Sequence, residues 1–278
     1  KLGVPLGVEP RSKRYPLVGT AFDYLLRFEL QRRAPHADTK RWVAERAPNM
    51  ILRQTDSGPV IRDLLIGLDP EQYVPPEEVS KRARVLLENA KAAVAAYVKL
   101  KAPSVAKQAE LAGHAIRLAK LDSVYRNEVL ESGFEQASAE DIQDLVDLLA
   151  VVPFDDLLHD KVLILNPVFG ETSLVVGGAD TDLIAGDLLV DFKVTKKDEI
   201  ETKDLDQILG YFLLARKERE INPVFPAINR LGLYFCRHGY LWSAEASDWT
   251  SHPEFSGIEQ WFFQRADEVF GASRATDV

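Results

Sequence analysis

Residues 174–211 read LVVGGADTDLIAGDLLVDFKVTKKDEIETKDLDQILGY, and their reading sets the rest of the chain. Two short apolar strands, Leu174–Ile184 and Leu188–Thr195, flank Ala185-Gly186-Asp187, and Gly-Asp is a two-residue hairpin link. With Gly186 and Asp187 at the centre of the turn, Ala185 faces Leu188, Ile184 faces Leu189, Leu183 faces Val190, and Asp182 falls opposite Asp191. Period-2 alternation places Asp180 and Asp182 on one face of the first strand, and Asp191 and Lys193 on one face of the second. Like charges opposed across a hairpin are destabilising, so a neutralising divalent cation is expected among these carboxylates. Hard oxygen donors around retained waters suit Mg²⁺, which usually takes one or two carboxylates together with substrate phosphate.

The following residues predict a helix from Asp204 to about Arg219. Gln207 and Tyr211 are four apart and share one of its faces. Both carry groups able to reach a phosphate or hold a water.

Asp182, then Asp191-Phe192-Lys193, then Gln207-x-x-x-Tyr211, in a strand–strand–helix context, resemble the PD-(D/E)xK nuclease superfamily. The Gln-x-x-x-Tyr element is similar to its RecB-type exonuclease branch. The resemblance covers about residues 160 to 245. It implies Asp182 and Asp191 as metal ligands, Lys193 positioning the attacking water or stabilising charge, and Gln207 and Tyr211 orienting substrate or water. That branch often carries its first acid as Gly-x-x-Asp, a spacing that Gly177-Gly178-Ala179-Asp180 fits better than Asp182 does. Asp182 is preferred because of its register opposite Asp191, with Asp180 as second choice or additional ligand. The resemblance also implies a further metal-directed acid or histidine on an N-terminal helix. Glu29 is the candidate there, with Asp23 as runner-up.

Composition bounds the reading. The 278 residues are 46% hydrophobic and 28% charged, ordinary for a globular protein and enough for one large domain or two small ones. No run of about 18 apolar residues marks a membrane span, and no charged-then-apolar leader is seen, so a cytoplasmic location is expected. The chain opens at Lys1, compatible with a start inside a longer product. Cys236 is the single cysteine, which excludes the four-cysteine iron–sulfur cluster carried by some members of the superfamily. No G-x-x-x-x-G-K-[ST] phosphate loop occurs, so no ATP site is expected. The formal net charge of −9 argues against coating nucleic acid through overall basicity, leaving local basic groups as the candidate contacts. Arg27, Arg32 and Arg33, with Lys196 and Lys197, are those candidates.

Residues 1 to about 18 read as an extended arm exposing Arg11, Lys13 and Arg14. Gly19 to Arg33 has helical apolar spacing. Residues 50 to 77 suggest a short helix and loops. Residues 77 to about 101 and 104 to about 132 predict a helical pair broken at Pro103. His114 reads as a core histidine. Ser138 has N-cap character ahead of the apolar run Ile142–Val152, whose stripe is expected to cover the sheet of the C-terminal half. KVLILN at 161–166 predicts a strand, Leu231–Cys236 and Tyr240–Trp242 another hairpin, and Ile258 to Phe270 a last helix before a frayed tail.

The expected architecture is α+β: a mostly helical region, 1–155, offering a substrate-clasping wall, then a restriction-endonuclease-like αβ core, 156–278, with a mixed central sheet flanked by helices. The expected activity is Mg²⁺- or Mn²⁺-dependent hydrolysis of phosphodiesters, with nucleic acid, most simply DNA, as the partner and no membrane. Repair and antiviral defence both suit such a domain. A non-catalytic nucleic-acid-binding or scaffolding module on the same fold is the alternative.

Overall fold

The computed structural model of the chain describes residues 1–53, 65–66, 74–159 and 161–274. The fold is mixed α+β. It divides into two compact units, one of Val8–Pro35 and Arg41–Val151, the other of Lys1–Gly7, His36–Lys40 and Val152–Val278. The described strands are β1 (Asp38–Thr39), β2 (Leu65–Ile66), β3 (Leu130–Glu131), β4 (Leu163–Leu165), β5 (Leu183–Ala185), β6 (Leu188–Lys193), β7 (Arg230–Phe235) and β8 (Tyr240–Glu245).

Among its described residues, the unit containing Val8–Pro35 and Arg41–Val151 is mostly helical, with the short parallel pair β2–β3. The Tyr15–Arg33 helix buries Phe22, Leu25, Leu26 and Leu30 and packs against the Val105–Asn127 and Ala139–Ala150 helices. It begins four residues before Gly19 because Pro16, in its first turn, has a fixed φ suited to helix starts. The arm is correspondingly shorter than expected, and Arg11 and Arg14 are not free: Arg11 pairs with Asp147, and Arg14 with Glu131 and Asp141. The Pro76–Tyr97 and Val105–Asn127 helices are the predicted pair and pack on each other. Ser138 caps the Ala139–Ala150 helix, its side chain accepting from the Asp141 N–H at 3.0 Å. The apolar stripe of that helix was expected to cover the sheet. Its Leu145, Leu148 and Leu149 are instead buried within the helical unit; amphipathicity names the face to be buried and leaves the partner open. Ala47–Arg53 is helical, and much of the expected loop over 50–77 lies outside the described residues.

In the other unit a six-stranded sheet runs β1-β4-β5-β6-β7-β8. Strands β4, β5 and β6 form an antiparallel meander, β7 is parallel to β6, β8 is antiparallel to β7, and β1 is parallel to β4. Parallel neighbours need a crossover, and the Thr202–Ile221 helix between β6 and β7 supplies it. Ile208, Phe212 and Ala215 of this helix bury against Leu189 of β6 and Leu231, Leu233 and Phe235 of β7, with Phe255 of the last helix joining them.

The hairpin register is the predicted one: Leu183 pairs with Val190, Ile184 with Leu189 and Ala185 with Leu188. Gly186 supplies the positive φ of the turn, +65°. The first strand is far shorter than Leu174–Ile184, because Gly170–Val176 is a 3-10 helix. Thr172 Oγ1 donates to the Phe169 carbonyl, the Phe169 N–H donates to Ser173 Oγ, and Ser173 Oγ donates to the Ala179 carbonyl. Such local side-chain bonds give the backbone an alternative to a ladder, and Gly177 and Gly178 then turn at φ +76° and +111°. The last helix, Phe255–Arg274, is longer at both ends than predicted and includes much of the expected tail. Among the described residues no helix is long and apolar enough to cross a membrane.

Candidate active site

The site grows from β6. Leu189, Asp191 and Lys193 alternate onto one face. Leu189 sits in the core beneath the Thr202–Ile221 helix, so Asp191 and Lys193 face the same helix further along the strand. Lys193 Nζ donates to Gln207 Oε1 at 2.6 Å, and Gln207 Nε2 donates to the Tyr211 hydroxyl at 2.9 Å. The Tyr211 ring is stacked on Phe169, centroids 5.7 Å apart. One continuous chain of contacts therefore joins the Asp-x-Lys strand to the Gln-x-x-x-Tyr helix face.

Asp191 is 6% exposed. Lys193 Nζ lies 2.7 Å from its Oδ2, a close ion pair. Burial pushes the Asp191 carboxyl up, the Lys193 ammonium pulls it down, and Asp204 and Asp180 push it up again, leaving it raised. Burial lowers the Lys193 amine, but Asp191 and Asp204 outweigh that and raise it. Burial, then the charges of Asp191, Asp182 and Asp180, hold the Tyr211 phenol above its ordinary value. The three acids of the hairpin thus act on one helix-borne hydroxyl.

Asp182 stands just before β5, where the register would continue to Asp191. Its Oδ2 accepts from the Phe192 N–H at 2.6 Å, and its carbonyl accepts from the Asn166 N–H at 2.9 Å. The side chain takes over the cross-strand pairing after the ladder stops. Thr181 Oγ1 does likewise, donating to the Val190 carbonyl. Asp180 forms an isolated antiparallel bridge with Val168.

A scan of family models and searches of curated proteins and solved structures find no match to this chain.

The remaining candidates divide by surroundings. Glu29 lies in the helical unit at 1% exposure. Its carboxylate accepts from Arg32 Nη2, Arg33 Nε and Tyr97 Oη at 2.6, 2.7 and 2.8 Å. Asp23 pairs with Arg27. Arg27, expected at a phosphate-facing wall, is 7% exposed and held by Asp23. Arg32 is bound to Glu29 and to the Leu100 and Lys101 carbonyls. Both guanidiniums hold the helical unit together, which corrects that expectation; Arg33 is half-exposed and shares Glu29. Lys196 is exposed, and Lys197, also exposed, pairs with Glu201. His114 is half-buried and lines a groove of about 520 Å³ with Glu110, Arg117 and Glu135, and burial lowers its imidazole below the ordinary value.

One residue of the site escaped the sequence reading. Asp204, buried in the first turn of the Thr202–Ile221 helix, has Oδ1 3.4 Å from Lys193 Nζ. It lies three residues before Gln207, hence on the same helix face, and that spacing was the available signal.

Among the described residues no group of three or more His, Cys, Asp or Glu side chains is arranged to hold a metal ion. A two-carboxylate donor set matches what Mg²⁺ or Mn²⁺ takes when waters and phosphate complete the shell. The nearly buried Asp191 carboxylate, paired through Oδ2 with Lys193, and Asp182 are the two donors of that kind here.

Proposed function

We propose that the chain is a metal-dependent nuclease of the PD-(D/E)xK type, similar to the RecB-type exonuclease branch, that hydrolyses phosphodiester bonds in DNA. The observation that carries this reading is the contact chain Asp191–Lys193–Gln207–Tyr211, which unites motif pieces from a strand and a helix. The mixed sheet with its crossover helix supports a restriction-endonuclease-like core.

Asp182 and Asp191 would hold Mg²⁺ or Mn²⁺, with Asp180 as an additional ligand. Such an ion, when bound, polarises a phosphoryl oxygen and eases deprotonation of water. Lys193 places an ammonium beside the reacting phosphate, where it stabilises the charge that develops in the transition state. Gln207 and Tyr211 orient the phosphate and the attacking water. In the reaction the water oxygen bonds to phosphorus, the bond to the leaving sugar oxygen breaks, water gives up a proton and the leaving oxygen takes one. Lys196 and Lys197, on the loop after β6, supply phosphate contacts.

The test is cleavage of end-labelled linear and of circular DNA with Mg²⁺, with Mn²⁺ and with chelator, comparing the intact chain with Asp191→Ala and Lys193→Ala. Metal-dependent cleavage lost in both variants is the expected result, and survival of the circle marks an exonuclease. An intact chain that cuts neither DNA nor RNA with any metal leaves the non-catalytic nucleic-acid-binding module as the better reading.

A further inference from the structure

Asp204 belongs to none of the motif pieces, yet it is only 6% exposed and touches the central lysine. Its two oxygens are divided. Oδ2 accepts from the Glu201 N–H at 3.1 Å, closing the reciprocal cap of the Thr202–Ile221 helix. Oδ1 faces Lys193 Nζ at 3.4 Å. The ammonium therefore has three oxygens around it: Asp191 Oδ2 at 2.7 Å, Gln207 Oε1 at 2.6 Å and Asp204 Oδ1. Lysine has three N–H donors and a flexible stem, so its place is set by whichever acceptors remain.

The nuclease reading gives one of these acceptors away. A divalent cation on Asp191 removes that carboxylate as a partner and brings like charge towards Nζ. Gln207 is neutral and cannot offset the repulsion. Asp204 can: it is anionic, it sits on the helix rather than on the strand, and the helix cap fixes its rotamer.

We infer that Asp204 is a positioning residue, a second buried carboxylate that keeps Lys193 beside Gln207 when Asp191 is given over to a cation. The inference rests on the nuclease reading, and its test separates the two. Asp204→Asn keeps an oxygen for the Glu201 N–H but loses the charge, so the helix cap survives; Asp204→Ser serves the same purpose if Asn does not fold. Asp204→Glu restores the charge. The readouts are acetylation of Lys193 by an amine-directed reagent, followed by peptide mass spectrometry with Mg²⁺ and with chelator, and cleavage kinetics on linear DNA.

In the intact chain and in Asp204→Glu, Mg²⁺ is expected to leave Lys193 labelling unchanged. In Asp204→Asn it speeds labelling several-fold, and kcat falls on the order of 10- to 100-fold with KM unchanged. Labelling in Asp204→Asn that Mg²⁺ does not alter overturns the inference, whatever the DNA result. An intact chain that cuts no DNA while the labelling pattern holds refutes the nuclease reading and leaves the role of Asp204 standing.

Discussion

Lys193 Nζ donates to Gln207 Oε1 at 2.6 Å, the bond that ties β6 to the Thr202–Ile221 helix at the point where the acids gather. The same ammonium neutralises Asp191 and Asp204, whose carboxylates are nearly buried. Its removal therefore acts on stability as well as on chemistry.

Lys193→Met keeps the aliphatic stem and deletes the charge. Two buried carboxylates are left without their counter-ion, and breaking a buried pair from one side costs about 3 kcal/mol or more. Urea denaturation is expected to show that loss, with much of it recovered in Lys193→Met/Asp191→Asn, where the stranded charge at Asp191 is also gone. DNA cleavage in the single variant is expected to fall about 100-fold or more, as for loss of one preorganised charge-stabilising group. A single variant as stable as the parent would mean that the ion pairs of Lys193 add no net stability.

Tyr211→Phe separates packing from polarity. The ring stays stacked on Phe169, and only the bond from Gln207 Nε2 is lost. Stability is expected to change by about 1 kcal/mol or less, while kcat drops if the hydroxyl orients substrate. Burial and the three acids hold the phenol above its ordinary value, so the pH–rate profile of the parent should lack a limb near pH 10 from Tyr211. Unchanged kcat in Tyr211→Phe would leave the hydroxyl a purely structural role.

The hairpin register was legible because one glycine and alternation by two fix it, and Asp182 and Asp191 followed from the register. The length of the first strand was not: Thr172 and Ser173 bond the backbone locally, a competition that apolar content does not reveal. Arg27 and Arg32 were misread as substrate-facing although Asp23 lies four residues and Glu29 three residues away on the same helix face. That spacing marks internal pairing. Asp204 was missed because its capping role and its contact to Lys193 belong to different elements, and only the folded chain brings them to one carboxylate.

Glu29 offers a pH test of its role. Burial raises its carboxyl, but hydrogen bonds from Arg32, Arg33 and Tyr97 outweigh burial and leave it lowered. A depressed carboxyl contributes stability that is present above the ordinary glutamate value of about 4.3 and is lost as pH falls through the lower folded value. Glu29→Gln should therefore be less stable than the parent at pH 7, and the difference should shrink on acidification below about pH 4. Melting curves across that window measure it. The same variant should retain its dependence on Mg²⁺ if the carboxylate serves the helical unit alone, whereas a weakened metal requirement would restore Glu29 as a ligand.

Gly186 carries the hairpin, and with it the placement of both acids. Its φ is +65°, and a Cβ there would come within 2.7 Å of the His159 ring. The Gly186 N–H also donates to the Val162 carbonyl at 2.8 Å, so the turn is pinned to the edge of β4 and has little room to relax. Left-handed backbone at a residue with a Cβ costs about 1 to 3 kcal/mol, and displacement of His159 adds to it. Gly186→Ala is expected to lower the melting temperature, and Gly186→Ala/His159→Ala to recover the steric part while keeping the conformational cost. Cleavage should fall further than stability alone explains, because a hairpin that slips by one residue moves Asp182 and Asp191 to opposite faces. Equal losses of folded fraction and of activity at a temperature within the transition would show that the register survives the substitution.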